Sequence, residues 1–438
     1  MQRFLYKSKA ALVLFIVLVS STQAQPPVAA PTNLPAEPTR VSLPVLSANT
    51  GAGPSFDSST SQWPGYDMAH YSYEVNEYVI TGTAAGAPYQ TRLVVRQPAD
   101  DSKFSGLVVA EAMHPAGQAH AFQHHSVYLM DAGHIAVEIT TLGLDPIKVF
   151  NPARYGDMNV AANQVNEILA QAGALIKSDQ SPIADLNLRK MIMFGTSASS
   201  AILVGYLPAH KIFKTAQMEN IYDGFMPTSN GTNIAPVDVP MIQLPTQHEF
   251  QNMATAQQDS DEPGSQYRNY EFVGMGHLMA RNNPRMTADQ CTKPITTFPL
   301  EPYFSVGLHH LLQWVDKGII PPRAERVLLD RNIGNDGSLM VLDEHGNPQS
   351  GIRNPYVDVP VTKYTAGNEN TATSTVGILC RLSMWETDFS QDKLRQLYGN
   401  TDNYVRLFEE NLTAQEQAGW SLPVYHELIM EDARAVTF

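Results

Sequence analysis

The sequence predicts an α/β fold with a mostly parallel central sheet, flanked by helices and followed by a C-terminal extension or cap. Three observations lead there. Short apolar runs such as Gly106–Ala112 (GLVVAEA) have the continuous character of strands buried on both faces. Longer stretches of helical periodicity alternate with them, as strand–helix–strand units require. The 438 residues are 43% hydrophobic and 16% charged, which supplies a large core and is not a disordered composition.

Taken in order, the chain opens with Arg3, Lys7 and Lys9, then an apolar run from Ala10 to Ser20, then Ala24 as a small residue suited to cleavage. The run is shorter than the roughly 20 residues that span a bilayer. Residues 1–24 are therefore expected to be a signal peptide, with export to the periplasm or the outside. An uncleaved anchor is the competing reading. Residues 25–65 are rich in Pro, Ala, Ser and Thr without periodicity, and are expected to be a linker or loosely held arm. Residues 66–438 are expected to be one domain, with a core to about 323 and an extension over about 324–438.

Tyr71–Thr83 and Gln90–Arg96 read as strands, as do Gly106–Ala112, His134–Thr140, Lys190–Phe194, Lys214–Met218, Val239–Leu244 and Tyr267–Val273. His120–Ala132, Val160–Ile176, Gly195–Tyr206 and Tyr303–Lys317 read as helices; the last stops at Gly318 with Pro321 and Pro322 beyond. Past residue 324 the chain is turn-rich, with a helical stretch at Gln391–Glu410. It is expected to cap the site or extend the core sideways. Ligands of such sheets sit beyond the carboxyl ends of the strands, so chemistry is sought in the loops that follow them.

The formal charge is −14, and loss of the three basic residues in 1–24 takes it to −17. An acidic surface repels phosphate backbones and anionic lipids, so nucleic acid and membrane surfaces are not expected partners. The sequence is silent on oligomeric state. Cys291 and Cys380 would meet an oxidising compartment after export, where one structural disulfide or two unpaired thiols are both open.

The strongest local signal is Lys190-Met-Ile-Met-Phe-Gly195-Thr196-Ser197-Ala198-Ser199, a buried strand running through a tight turn into a helix. A nucleophile elbow needs small residues two places either side of its serine, and Gly195 and Ser199 meet that need, although the usual second residue is Gly. Ser197 is the expected nucleophile of an α/β-hydrolase fold. An ordinary Ser/Thr helix cap is the bland alternative. The fold orders its partners serine, acid, histidine. Glu249, in the loop after Val239–Leu244, is the expected acid, with Glu219 and Asp223 as competitors. His277, in the Gly-rich turn after Tyr267–Val273, is the expected base. The Ala198 N–H should face a developing oxyanion, with a second N–H from His114 or Ala116 in the loop after Gly106–Ala112, since Pro115 has none. His114, His120, His124 and His125 invite a metal reading. They lack an H-E-x-x-H pattern and carboxylate partners, so they are expected to line the pocket and to bind no metal.

Several stretches together resemble a family of exported α/β-hydrolase-domain proteins, largely uncharacterised serine hydrolases and esterases. They are the GTSAS elbow, Tyr222-Asp223-Gly224-Phe225, Val239-Pro-Met-Ile-Gln, Tyr267-Arg with Val273-Gly274 and His277, Leu311 with Trp314-Val315, Gly318 and Pro321-Pro322, and Gly351–Pro360 (GIRNPYVDVP). The likeness covers most of residues 70–430, and the GIRNPYVDVP run is its most specific part. The resemblance implies one integrated domain with Ser197 and His277 catalytic. Gln247 stands where an acidic residue looks usual, which leaves Glu249 as the nearer match.

The expected chemistry is acyl transfer to Ser197 from a small-molecule ester, with His277 as base, Glu249 orienting it, and no cofactor. Ester is favoured over amide only by analogy with the fold. The rival reading is a catalytically silent scaffold that binds a ligand or partner in the same cleft.

Overall fold

The computed structural model describes residues 34–250, 257–281, 283, 290–330, 339–374 and 377–438. The expected signal segment and residues 25–33 of the expected linker lie outside the described residues. Among those described, nine strands form one sheet: β1 Val45–Ala48, β2 Tyr73–Ala84, β3 Ala87–Pro98, β4 Leu107–Ala112, β5 Ile135–Ile139, β6 Lys190–Thr196, β7 Gly224–Thr228, β8 Met241–Gln243 and β9 Tyr267–Asn269. Their spatial order is β9-β8-β7-β6-β4-β5-β3-β2-β1.

From β9 through β5 all neighbours are parallel, while β5–β3, β3–β2 and β2–β1 are antiparallel. The sheet is therefore mixed. The antiparallel half follows from a two-residue turn, Ala85 (φ 48°) and Gly86 (φ 76°), that folds β2 and β3 into a hairpin. Strand β4 lies between β5 and β6, so the chain reverses its winding direction there, at the type of crevice where ligands bind.

Alternation along the parallel strands feeds two cores. Leu107 and Val109 pack with helices α1 (His120–Asp131) and α4 (Leu300–Lys317) on one face. Val108, Ala110 and Ala112 pack with α2 (Val165–Ile176) and α3 (Ser197–Ile212) on the other. Helix α4 ends at Gly318, whose left-handed backbone (φ 67°) lets its N–H reach the Trp314 carbonyl.

Four elements differ from expectation. Residues 215–218 turn instead of forming a strand, and Phe213–Lys214 pair with Thr39–Arg40. The strand in that interval is β7, GFMPT, obscured in the sequence by its Gly and by Pro227, residues that weaken a strand reading. Strand β9 is shorter than Tyr267–Val273, and residues 271–273 pair instead with Ile352: Val273 N–H donates to its carbonyl at 3.0 Å. The stretch Gln391–Glu410 is two helices, Gln391–Tyr398 and Thr401–Gln417, broken at Gly399 (φ 78°) and restarted by the Asn400 side chain.

The largest difference concerns the expected linker. Over residues 34–65 it is bound to the domain, although most of its residues are exposed: Val45–Ala48 is the outer strand β1, and Trp63 is buried. Arg92 Nη2 donates to the Phe56 carbonyl at 2.6 Å and Arg96 Nη2 to Ser58 Oγ at 2.9 Å. Both guanidiniums also pair with the buried Glu138 carboxylate, at 2.6 and 3.0 Å. The arm is held largely through its backbone carbonyls, which leave no periodicity in the sequence.

The C-terminal part shares the core of α1 and α4, through residues such as Ile352, Met384, Phe408 and Ile429. Within the GIRNPYVDVP run, Asn354 Nδ2 donates to the Val273 carbonyl at 2.6 Å and so ties that run to the end of the sheet. Cys291 and Cys380 are joined in a disulfide. No helix among the described residues is long and apolar enough to cross a membrane.

Candidate active site

Strand β6 ends at Thr196, and Ser197 begins α3 with φ 54°. A non-glycine residue in this region is strained, and the strain is the signature of a side chain forced out of a strand-to-helix turn. Two neighbours hold it. A Cβ on Gly195 would stand 2.6 Å from the Ser199 carbonyl oxygen, so only glycine lets strand and helix pass this closely. Ser199, the departure from the usual glycine, uses its hydroxyl inside the turn: Oγ accepts the Thr196 N–H at 2.9 Å and donates to the Thr196 carbonyl at 2.8 Å.

The loops after β8 and β9 run side by side. Gln247 N–H donates to the Met275 carbonyl at 3.0 Å, and Gln247 Oε1 accepts the Gly274 N–H at 2.6 Å. Gln247 thus cross-links the two loops. Glu249 reaches His277: Oε1 lies 2.7 Å from Nδ1. Its other oxygen, Oε2, accepts both the Thr246 N–H at 2.7 Å and the Thr246 hydroxyl at 2.6 Å. Burial alone would raise this carboxyl, but the adjacent His277 ring and the bonds from His277, together with His248 and Thr246, hold it below its ordinary range. An ionised carboxylate only accepts, so Nδ1 carries the proton, and Nε2 is left to accept from Ser197 Oγ, 2.8 Å away. This is a geometry in which an imidazole can withdraw a hydroxyl proton.

The competing acids are elsewhere. Asp223 pairs with Lys177 at 2.8 Å and accepts the Met191 N–H at 2.9 Å, near the opposite end of β6. Glu219 closes the Thr215–Glu219 turn beside it.

Ser197 and His277 open into a cleft of about 200 Å³. His114, Ala116 and Gln118 border it, but two expected oxyanion donors are already engaged. The His114 N–H donates to the Gln118 carbonyl at 2.9 Å, and the Ala116 N–H to His114 Nδ1 at 3.1 Å. The Pro-Gly loop closes on itself, which corrects the reading of these N–H groups as open to a ligand. Ala198, partly exposed at the start of α3, remains at the positive end of that helix.

The rings of His114, His120 and His124 follow one another along one wall, with centroids 4.8 and 5.2 Å apart. His120 and His124 lie face to face, so their nitrogens do not converge on a point. No group of three potential ligands able to hold a metal is found among the described residues. His125 instead turns into the core against Phe194 and Ser305. Burial, with His277 and His114 nearby, pushes His124 down to about 3, so this wall carries a neutral ring.

Sequence reasoning missed four contributors. Gln62, from the expected linker, lines the cleft with Nε2 at 3.2 Å from His124 Nδ1. His248 sits behind the base, its Nδ1 accepting the His277 N–H at 3.2 Å. Leu379 and Leu382 bring the C-terminal part into the wall. No motif marks any of them, and only the adjacency of His248 to Glu249 could have drawn notice.

A family model described as an alpha/beta hydrolase domain matches residues 32–431. No curated protein matches the chain. Among solved structures, a zinc-bound cold-adapted esterase from an Arctic intertidal metagenomic library is 15% identical, covering 45% of this chain and 85% of its own, with a TM-score of 0.27. Brefeldin A esterase, a bacterial homologue of human hormone-sensitive lipase, is 15% identical over 36% of this chain and 40% of its own, with a TM-score of 0.25. A fungal esterase from Rhizomucor miehei is 8% identical over 45% and 74%, with a TM-score of 0.28.

Proposed function

Since the chain belongs to the alpha/beta hydrolase domain family, we propose that it is an exported serine hydrolase that cleaves small carboxylic esters through Ser197, His277 and Glu249. His277 Nε2 takes the Ser197 proton as Oγ bonds to the ester carbonyl carbon. The tetrahedral oxyanion collapses, the alcohol leaves with the proton from His277, and an acyl-Ser197 remains. Water, deprotonated by His277, then releases the acid and restores the serine. Glu249 keeps the ring in the required tautomer. The Ala198 N–H and the α3 N-terminus face the oxyanion. Ester in place of amide rests on the analogy of fold, and export rests on the composition of residues 1–24.

The observation that carries this reading is the continuous chain from Ser197 Oγ to His277 Nε2 at 2.8 Å and from Nδ1 to Glu249 Oε1 at 2.7 Å. A fluorophosphonate probe tests it. Wild-type protein should label covalently, Ser197→Ala should not, and a chelator should leave labelling unchanged. The second reading, a silent scaffold, draws on the engaged His114 and Ala116 N–H groups. It predicts no labelling of the wild-type protein.

A further inference from the structure

We propose that the short helix α5 (Leu379–Leu382) is the size filter of this cleft: Leu379 and Leu382 limit the acyl group to a short aliphatic chain, and the Cys291–Cys380 disulfide keeps them in position. The proposal rests on the serine-hydrolase reading and names its substrate class.

Both leucines border the cleft that holds Ser197 and His277, together with Leu278, Met279 and Leu300. These five are the larger apolar side chains of the cleft, which the His114, His120 and His124 rings also line. The cleft, about 200 Å³, falls below the roughly 300–1,000 Å³ of sites for drug-sized ligands. An apolar acyl group packs against these apolar side chains, but its length is restricted.

Helix α5 is fixed to the loop that carries the base. The Leu278 N–H, next to His277, donates to the Leu382 carbonyl at 3.0 Å. A Cβ on Gly276 would meet Met384 Cγ at 2.6 Å, so the segment after α5 lies directly against the His277 turn. Four residues make a single turn that cannot hold itself. The disulfide at Cys380, inside that turn, ties it to Cys291, and the cluster Cys291–Ile295–Cys380 packs against Leu278 and Leu379. Leu379 and Leu382 are themselves only partly buried, so shortening them enlarges the cleft without emptying a core site.

The test uses the full chain with p-nitrophenyl acetate, butyrate and octanoate, alongside fluorophosphonate labelling. The wild-type kcat/KM should drop about tenfold or more from butyrate to octanoate, as pockets that discriminate by methylenes do. Leu379→Ala and Leu382→Ala should raise the octanoate-to-butyrate ratio of kcat/KM about tenfold, a ratio within one variant that cancels any change in its overall reactivity. Leu382→Phe should move the preference to acetate. A wild-type enzyme that cleaves octanoate as well as butyrate overturns the filter. So do alanine variants whose rates on all three esters change in parallel. Absence of both labelling and hydrolysis in the wild-type protein removes the serine-hydrolase reading itself, a separate outcome.

Discussion

Gly195 lies so close under Ser199 that a Cβ at 195 would meet the Ser199 carbonyl oxygen at 2.6 Å. Both are backbone-defined positions, so neither can yield without moving the turn that carries Ser197. Gly195→Ala should therefore displace Ser197 Oγ from His277 and slow fluorophosphonate labelling about 100-fold, the cost of a displacement near 1 Å. It should also destabilise the fold by about 1–3 kcal/mol through overpacking. Ser199→Gly should keep labelling and cost about 1–3 kcal/mol, because the buried Thr196 N–H loses its partner. Wild-type labelling in Gly195→Ala would refute the tight-turn account.

Glu249→Gln should inactivate through the tautomer. Oε2 takes two donors from Thr246, so the amide oxygen of Gln settles there and its NH2 faces His277 Nδ1. The ring must then accept at Nδ1 and carry its proton on Nε2, where it cannot receive one from Ser197. The expected fall in kcat is about 10³–10⁴-fold with KM little changed. Asp223→Asn, whose carboxylate pairs with Lys177 and Lys190 and accepts from the start of β6, should stay within about twofold of wild type. Ester kinetics of the two variants decide between them.

The parallel half of the sheet and the order Ser197, Glu249, His277 could be read along the chain because each rests on local pattern: a buried apolar run, a small-residue turn, a loop just past a strand. What could not be read depends on contacts distant in sequence. Ser58 meets Arg96 and Gln62 meets His124 across a fold that its own neighbourhood does not announce. Leu379 and Leu382 look like any short apolar pair until Cys380 is joined to Cys291. Strand β7 went unread because Pro227 argues locally against a strand, and pairing on both sides overrides that preference. The Gln247 position is instructive in another way. Resemblance pointed to an acid there, and the structure uses an amide to cross-link two loops.

His134 gives a pH signature. It is 5% exposed, and burial, followed by nearby His309 and Arg189, pushes it down to about 3. The unfolded ring binds a proton near pH 6.5 and the folded ring does not until near 3, so the folded state is favoured above 6.5 and that advantage is lost as pH falls. The slope is up to about 1.4 kcal/mol per pH unit. His134→Gln lacks the linkage. The stability gap between wild type and His134→Gln, measured by urea unfolding, should therefore narrow by up to about 2 kcal/mol from pH 7 to pH 5. An unchanged gap would show that the ring protonates equally in both states.

A chain beginning at Tyr66 should fail to fold. It would lack strand β1 and expose the β2 edge. It would also remove the Phe56 carbonyl from Arg92 and the Ser58 hydroxyl from Arg96 and Glu138, all three nearly fully buried. Each buried polar group left without its partner costs about 1–3 kcal/mol, against a total stability of about 5–15 kcal/mol for a domain. Gln62→Ala is the control: it removes the contacts with His124, the Gln123 carbonyl and the Glu301 N–H but leaves strand β1 and the arginine contacts in place, so it should stay folded with an unfolding midpoint lowered by only a few degrees. Circular dichroism and fluorophosphonate labelling of the two proteins make the comparison. A soluble 66–438 chain that unfolds at the wild-type midpoint and labels at Ser197 would mean that the arm is a dispensable linker after all, and that the arginine–carbonyl contacts stabilise nothing measurable.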